Sequence, residues 1–311
     1  MHKYSIENDN ERPAWNLVFK NDHSWREARK GERADFLYGM HSKNSDIVPY
    51  PNSTLSYFHN KYDFFKILKS KQVSCMPKTF FSFNEFSKNS NRGANTNKGN
   101  DMWFYKLATY DSGTGVIPFF DSDKDCDKLK RLLHHESREY ILQQGVKDLM
   151  LYDGRKFDIR IHVLISPSGK VYVYKNACMR ISRKKYTSEC SCKKHQLTNG
   201  SLGAEAQYTD KWSQWESVYP SVQKSIKEII YAMKQYLVNG KYLLLGADFI
   251  FDKNNKAWVL ELNTYPNLYY KPDPHLQPTL THMLKNMVKL LMHQDRDTSS
   301  QINTWEYLMT V

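Results

Sequence analysis

Two apolar runs near the end of the chain constrain its fold most. Leu243 to Phe251 and Ala257 to Leu262 are rich in leucine, isoleucine, valine and phenylalanine, and Asp252-Lys253-Asn254-Asn255 separates them with turn chemistry. The pair reads as a hairpin whose apolar face must be covered by a core. A strand period of two puts Glu261 and Asn263 on one face, with Leu260 and Leu262 on the other. Asp248 lies on the partner strand, so three oxygen donors can meet at one end. Two carboxylates and an amide oxygen form a hard set that suits Mg²⁺ shared with nucleotide phosphates. A half-solvated hairpin with a polar face would carry the same residues, so the pattern alone leaves both readings open.

A second hairpin pairs Asp158–Ile165 with Lys170–Tyr174 across Ser166-Pro167-Ser168-Gly169. From Gly154 to Arg160 the residues alternate. Lys156, Asp158 and Arg160 share one face, and Phe157, Ile159 and Ile161 share the other. This fits a polar cleft above a packed sheet, in which the planar fork of Arg160 holds a phosphate or carboxylate. An exposed amphipathic strand with surface ion pairs is the bland alternative. Shorter strands are expected at Pro77–Phe83, Met102–Leu107 and Tyr140–Gln144. Lys106 ends one of them just before the Gly113-Thr114-Gly115 turn, whose backbone N–H groups can cradle an anion. The G-x-x-x-x-G-K-[ST] phosphate loop is absent.

Helical spacing appears at Asn60–Ser70 and Lys128–His135. A longer helix opens at Pro220, with Val222, Ile226, Ile229, Ile230, Met233 and Leu237 as its stripe and Gly240 past its end. The last regular element is expected at Thr279–His293. Ser87–Asn100 is asparagine-rich and reads as a polar loop inserted at a turn. Hairpins set between helices indicate an α+β plan and not a doubly wound parallel sheet.

The net charge of +12 over 311 residues points to an acidic partner: nucleic acid, an acidic protein or a phosphate-bearing ligand. No apolar run reaches membrane-spanning length and the opening residues lack a signal-peptide core, so a cytoplasmic location is expected. Five scattered cysteines suit a reducing compartment. Cys190, Cys192 and His195 lack the second pair of a structural zinc site and read as a loop of free thiols. Arg180, Arg183, Lys184, Lys185, Lys193 and Lys194 form either a solvated loop or a landing surface for an acidic protein. A nucleic-acid-binding module using these residues with Tyr172, Tyr174 and Tyr186 is the competing class, but the tyrosines alternate as strand-core residues do. Trp212 and Trp215 read as core.

Taken in order, the blocks Trp103-Phe104-Tyr105-Lys106, Gly113/Gly115, Gln143-Gln144, Gly154 to Arg160, Leu197-Thr198-Asn199, Gly246-Ala247-Asp248-Phe249 and Leu260-Glu261-Leu262-Asn263 resemble the tubulin–tyrosine ligase family of ATP-grasp enzymes. The resemblance covers roughly Pro77 to Pro274. It implies an ATP-grasp fold with two α+β lobes clasping ATP: residues 76–145 as the central lobe, 146–293 as the carboxy-terminal lobe, 1–75 as a short amino-terminal portion and 294–311 as a tail. It also implies an ATP- and Mg²⁺-dependent ligase that joins a free amino acid to an acidic protein acceptor, such as a tubulin tail, through an acyl phosphate. Glutamate is the first expectation and tyrosine addition to a carboxy-terminal carboxylate the second; a non-catalytic nucleic-acid or acidic-protein binder is the remaining alternative. By position, Asp248, Glu261 and Asn263 would hold Mg²⁺. Lys106 and Lys156 would meet the phosphates, with the Gly113 and Gly115 loop nearby, and Gln143 and Gln144 would border the adenine. Asp158, Arg160 and Arg180 would orient the reacting groups, with Thr198 and Asn199 beside the γ-phosphate. Gln144 and Gln196 stand where the family commonly has lysine and histidine.

Overall fold

The computed structural model describes residues 1–20, 22–39, 45–89, 101–110, 113–268, 274–293 and 305–311. Residues 90–100 of the expected polar loop, Asp111 and Ser112 before the glycine turn, and 294–304 of the expected tail lie outside them. The chain opens with β1 (His2–Ile6), α1 (Arg12–Phe19), β2 (Trp25–Glu27), β3 (Ala34–Tyr38) and β4 (Ser45–Ile47). These strands pair in parallel in the order β2-β1-β3-β4. Strands of three to five residues carry no readable period, which is why this sheet left no clear trace in the sequence. Helices α2 (Asn52–His59) and α3 (Lys61–Ser70) follow, the second capped by the Asn60 side chain accepting from the N–H groups of Tyr62 and Asp63.

The central lobe holds β5 (Thr79–Phe80), α4 (Phe83–Asn89), β6 (Met102–Leu107), β7 (Val116–Phe120), α5 (Asp123–His134) and β8 (Tyr140–Gln144). Its strands pair antiparallel in the order β5-β8-β6-β7. The expected strand at Pro77–Phe83 shortens to two residues because α4 begins at Phe83, and that helix takes in Ser87–Asn89 of the expected loop. Helix α5 starts five residues before Lys128, where Ser122 accepts from the N–H of Asp125. Phe86, Leu129 and Cys126 pack on one face of this sheet against Phe80, Trp103, Tyr105 and Leu142. Lys106 and Gln143 face away from that core, toward the cleft.

The carboxy-terminal lobe comprises β9 (Arg155–Ile165), β10 (Lys170–Tyr174), β11 (Cys178–Lys185), α6 (Lys193–Gln196), β12 (Glu205–Tyr208), α7 (Trp215–Ala232), β13 (Leu243–Phe251), β14 (Ala257–Asn263), α8 (Gln277–Met292) and β15 (Trp305–Thr310). Strand β9 is its hub. The first half pairs with β11, the end pairs with β10, and most of its length pairs with β13, all antiparallel. Strand β15, within the stretch expected as a tail, adds to the sheet beside β10. Phe157, Ile159, Ile161, Val163 and Ile165 point into a core closed by α3 and α7. The opposite face of β9 is divided. Leu164 meets α8 and the amino-terminal unit, whereas Lys156 and Asp158 line the cleft.

Pro220 lies inside α7, which starts at Trp215. The missing N–H frees only the carbonyl of exposed Glu216, while Trp215, Val218, Tyr219 and Val222 bury the turn around it. Packing outweighs the start signal that proline gives. The β13–β14 register pairs Asp248 with Glu261 and Gly246 with Asn263, then slips so that Phe249 faces Val259. Leu260 is the extra residue of this bulge. It therefore lines the cleft instead of joining Leu262 on the core face. Cys190 and Cys192, expected as free thiols, are joined in a disulfide. Two residues of separation bring their Cα atoms to 5.4 Å, within the usual bridging range.

Candidate active site

Lys61, Phe104, Lys106, Gly113, Gln143, Gln144, Lys156, Asp158, Arg180, Thr198, Asn199, Asp248 and Glu261 share the wall of one cleft between the two lobes. Strand alternation delivers two of them, Lys156 and Asp158. Lys156, Asp158 and Arg160 occupy one face of β9, and β11 sets Arg180 directly opposite Asp158. The pairing with β13 sets Asp248 opposite Arg160. Three expected residues stand back from the wall. Arg160 lies behind Asp248, Asn263 sits at the end of β14, and Gly115 packs its backbone against Tyr110 and Leu107.

Asp248 is 2% exposed and holds the centre of an ion network. Arg160 donates to both of its oxygens, Nε to Oδ1 and Nη2 to Oδ2, each at 2.8 Å. Arg180 Nη2 donates to the same Oδ2 at 2.7 Å and its Nε to Asp158 Oδ1 at 2.6 Å. Thr198 donates its hydroxyl to the remaining oxygen of Asp158. Burial pushes the Asp248 carboxyl up, but the two guanidinium groups outweigh it and hold the group well below the usual carboxylate range. Gly246 makes the fork possible. A Cβ there would lie 2.9 Å from Pro266 Cβ and 3.2 Å from Arg160 Cδ, so the arginine stem crosses β13 only where no side chain stands.

The lysines are held differently. Lys106 donates to the side-chain oxygen of Gln143 at 2.7 Å, and Lys156 lies 4.7 Å from the centroid of the Phe104 ring. Neither partner carries a charge. Burial lowers Lys106 to about 8, and burial together with the charge of Lys106 lowers Lys156 to about 7. Gln144 faces the cleft and donates to Asp101 at 2.8 Å. Gly113, with φ of +73°, closes on the carboxy-terminal lobe: a Cβ there would lie 2.6 Å from Asn199 Oδ1.

One residue of the site escapes sequence reasoning. Lys61 opens α3, is 4% exposed, approaches Glu261 Oε2 at 3.2 Å and donates to the carbonyl of Tyr110 at 2.8 Å. Nothing in a lysine-rich chain marks it out except its place at the start of an amphipathic helix.

Among the described residues no three His, Cys, Asp or Glu side chains are grouped to hold a metal. The oxygen set at hand is Asp248, Glu261 and Asn263, brought together by the β13–β14 register, with Asn263 Nδ2 donating to Glu261 Oε1 at 3.3 Å. Two carboxylates and an amide are too few and too hard for a soft-metal site, and fit a divalent cation whose other ligands come from phosphates and water. Here their charges are balanced by Arg160, Arg180 and Lys61.

Comparison with known proteins places the chain in a family. The sequence profile described as the Tubulin-tyrosine ligase family matches residues 40–218 and 192–301. The probable alpha-tubulin polyglutamylase Ttll1 of Tetrahymena thermophila is 24% identical over 242 residues, 65% of this chain and 57% of that protein. Tubulin glycylase 3A of Drosophila melanogaster is 22% identical over 237 residues, 66% of this chain and 24% of its own length. The probable tubulin polyglutamylase ttll-9 of Caenorhabditis elegans is 28% identical over 193 residues, 54% of this chain and 46% of its own. The chain thus spans about half or less of each of these relatives. No helix among the described residues is long and apolar enough to cross a membrane. With the profile matching most of its length and the motif blocks meeting in one cleft, the chain belongs to the tubulin-tyrosine ligase family.

Proposed function

We propose that this chain is an ATP- and Mg²⁺-dependent carboxylate–amine ligase that attaches an amino acid, glutamate first, to a carboxylate of an acidic protein such as a tubulin tail. The observation that carries the reading is the meeting of buried lysines held on neutral groups with an arginine–carboxylate network in one cleft. Lys106 and Lys156 would neutralise phosphate oxygens, and Gln143 and Gln144 border the same end. Asp248, Glu261 and Asn263 would hold Mg²⁺, which draws charge from the phosphates. In that arrangement Arg160 and Arg180 would turn to the acceptor carboxylate and the transferred phosphoryl group. One acceptor oxygen bonds to the γ-phosphorus as the β–γ bridging bond breaks. The amino group then attacks the acyl carbon, the bond to phosphate breaks, and a proton is lost. This chemistry relies on positioning and charge neutralisation, which matches a cleft rich in fixed cations.

Glycine is the second amino acid to test, because relatives of this chain are named glycylases. The experiment is ADP release with an acidic tubulin-tail peptide and each amino acid in turn, with mass spectrometry of the peptide. Amino-acid-dependent release with a matching mass gain is expected. No release with any amino acid and acceptor would overturn the ligase reading.

A further inference from the structure

We infer that Thr79 is a positioning residue for nucleotide binding, fixing the side-chain amide of Gln143 so that its oxygen and not its nitrogen faces Lys106. The inference rests on the reading of the cleft as an ATP site. Thr79 is in β5, next to Gln143 in the β5–β8 register, and is 3% exposed. Its hydroxyl is 2.7 Å from the carbonyl oxygen of Pro77. That oxygen can only accept, so the single hydroxyl proton is committed there. Toward Gln143, at 3.1 Å, the threonine oxygen is then left only as an acceptor. The part of the amide facing it must be Nε2, and Oε1 turns to Lys106 Nζ at 2.7 Å. Asn and Gln orientations follow from such partners, and here the chain of donors admits one answer.

The consequence lies in what the lysine meets. A carbonyl oxygen stabilises the ammonium form and leaves its other N–H groups to point into the cleft. A flipped amide would present an N–H to the ammonium and push it away. Without Thr79 the amide is ordered only by Lys106, and its Nε2 loses the hydrogen bond that holds it in place. Lys106 also faces Lys61 on α3, Lys156 on β9, Asp248 on β13 and Glu261 on β14, so the amide is the neutral member of a charged surround.

The test is binding of a fluorescent ADP analogue with Mg²⁺ to the full chain, measured from pH 6 to 9. Thr79→Val keeps the shape and removes the hydroxyl. It should weaken binding about tenfold at pH 7.5 and move the alkaline fall in affinity to lower pH, with Thr79→Ser restoring both. Gln143→Met, whose amide is absent, should give a similar loss, and adding Thr79→Val to it should give little more. Additive losses, or Thr79→Val binding like wild type, would overturn the assignment. So would a loss that Thr79→Ser fails to restore. If Thr79→Val does not fold, the Gln143→Met pH profile and the Thr79→Ser rescue in ligase turnover decide. A wild-type protein that binds no nucleotide would overturn the ATP reading, and this inference with it.

Discussion

The two ends of the cleft keep buried cations by opposite means. At one end Lys106 and Lys156 rest on an amide oxygen and an aromatic ring, which carry no charge, and their ammonium groups are lowered to about 8 and about 7. At the other end Arg160 and Arg180 are bound through Asp248 and Asp158, and the carboxylates are engaged on both oxygens. A cation on a neutral partner is destabilising until an anion arrives, which suits the lysine end to the phosphate role proposed for it. A cation on a carboxylate is already satisfied, so the arginine end acts only by exchanging partners. Metal bound to Asp248 and Glu261 would release the arginines for an acceptor carboxylate. Free metal without phosphate should therefore bind weakly.

Substitutions at the two ends should move stability in opposite directions. Asp248→Asn takes a buried carboxylate from two half-buried guanidinium groups and should cost about 3 kcal/mol, read by chemical denaturation, along with ligase turnover. Lys106→Met removes a buried charge held by a neutral group. It should stabilise the protein by roughly 1–3 kcal/mol at pH 7 while weakening nucleotide binding at least tenfold. The sign with pH follows. Below about 8 Lys106 is charged in both folded and unfolded chains and the burial penalty is fully present. As pH rises from about 8 toward 10.5 the unfolded chain holds the extra proton, wild-type stability rises, and the advantage of Lys106→Met fades. Two denaturation series across that range would show it, and a constant difference would contradict the assignment.

Two glycines sharpen the contrast at smaller magnitude. Gly246→Ala should cost about 1–3 kcal/mol by displacing Arg160 or Pro266, and should lower turnover more than nucleotide affinity. Gly113→Ala forces a side chain into a left-handed backbone beside Asn199, at about 1–2 kcal/mol, and should weaken nucleotide binding first. Equal effects of both on nucleotide binding would break the division of the cleft.

The alternation in β9 and the pairing of Asp248 with Glu261 were legible because strand period is rigid and one face is wholly apolar. Leu260 was misplaced because a bulge shifts the phase of β14 by one residue, and no residue type announces it. The start of α7 was misplaced because packing around Trp215 and Tyr219 outweighs the signal of Pro220. Lys61 was invisible because its burial depends on how α3 lies against β14, a tertiary fact. Most residues of the motif blocks line the cleft, without Lys61; which partners hold Lys106 and Arg160 required the geometry.

The central claim is that Lys106 and Lys156 rest on neutral partners until phosphate binds. Calorimetry of a non-hydrolysable ATP analogue with Mg²⁺ at pH 8, in buffers of different ionisation enthalpy, tests it most directly. At pH 8 a group of pKa about 7 is mostly neutral and one of about 8 half so, and phosphate contacts should charge both lysines, giving uptake of roughly one to one and a half protons per cleft. The uptake should shrink in Lys106→Met and again in Lys156→Met. Binding with no proton uptake, or with uptake unchanged in both variants, would contradict the account.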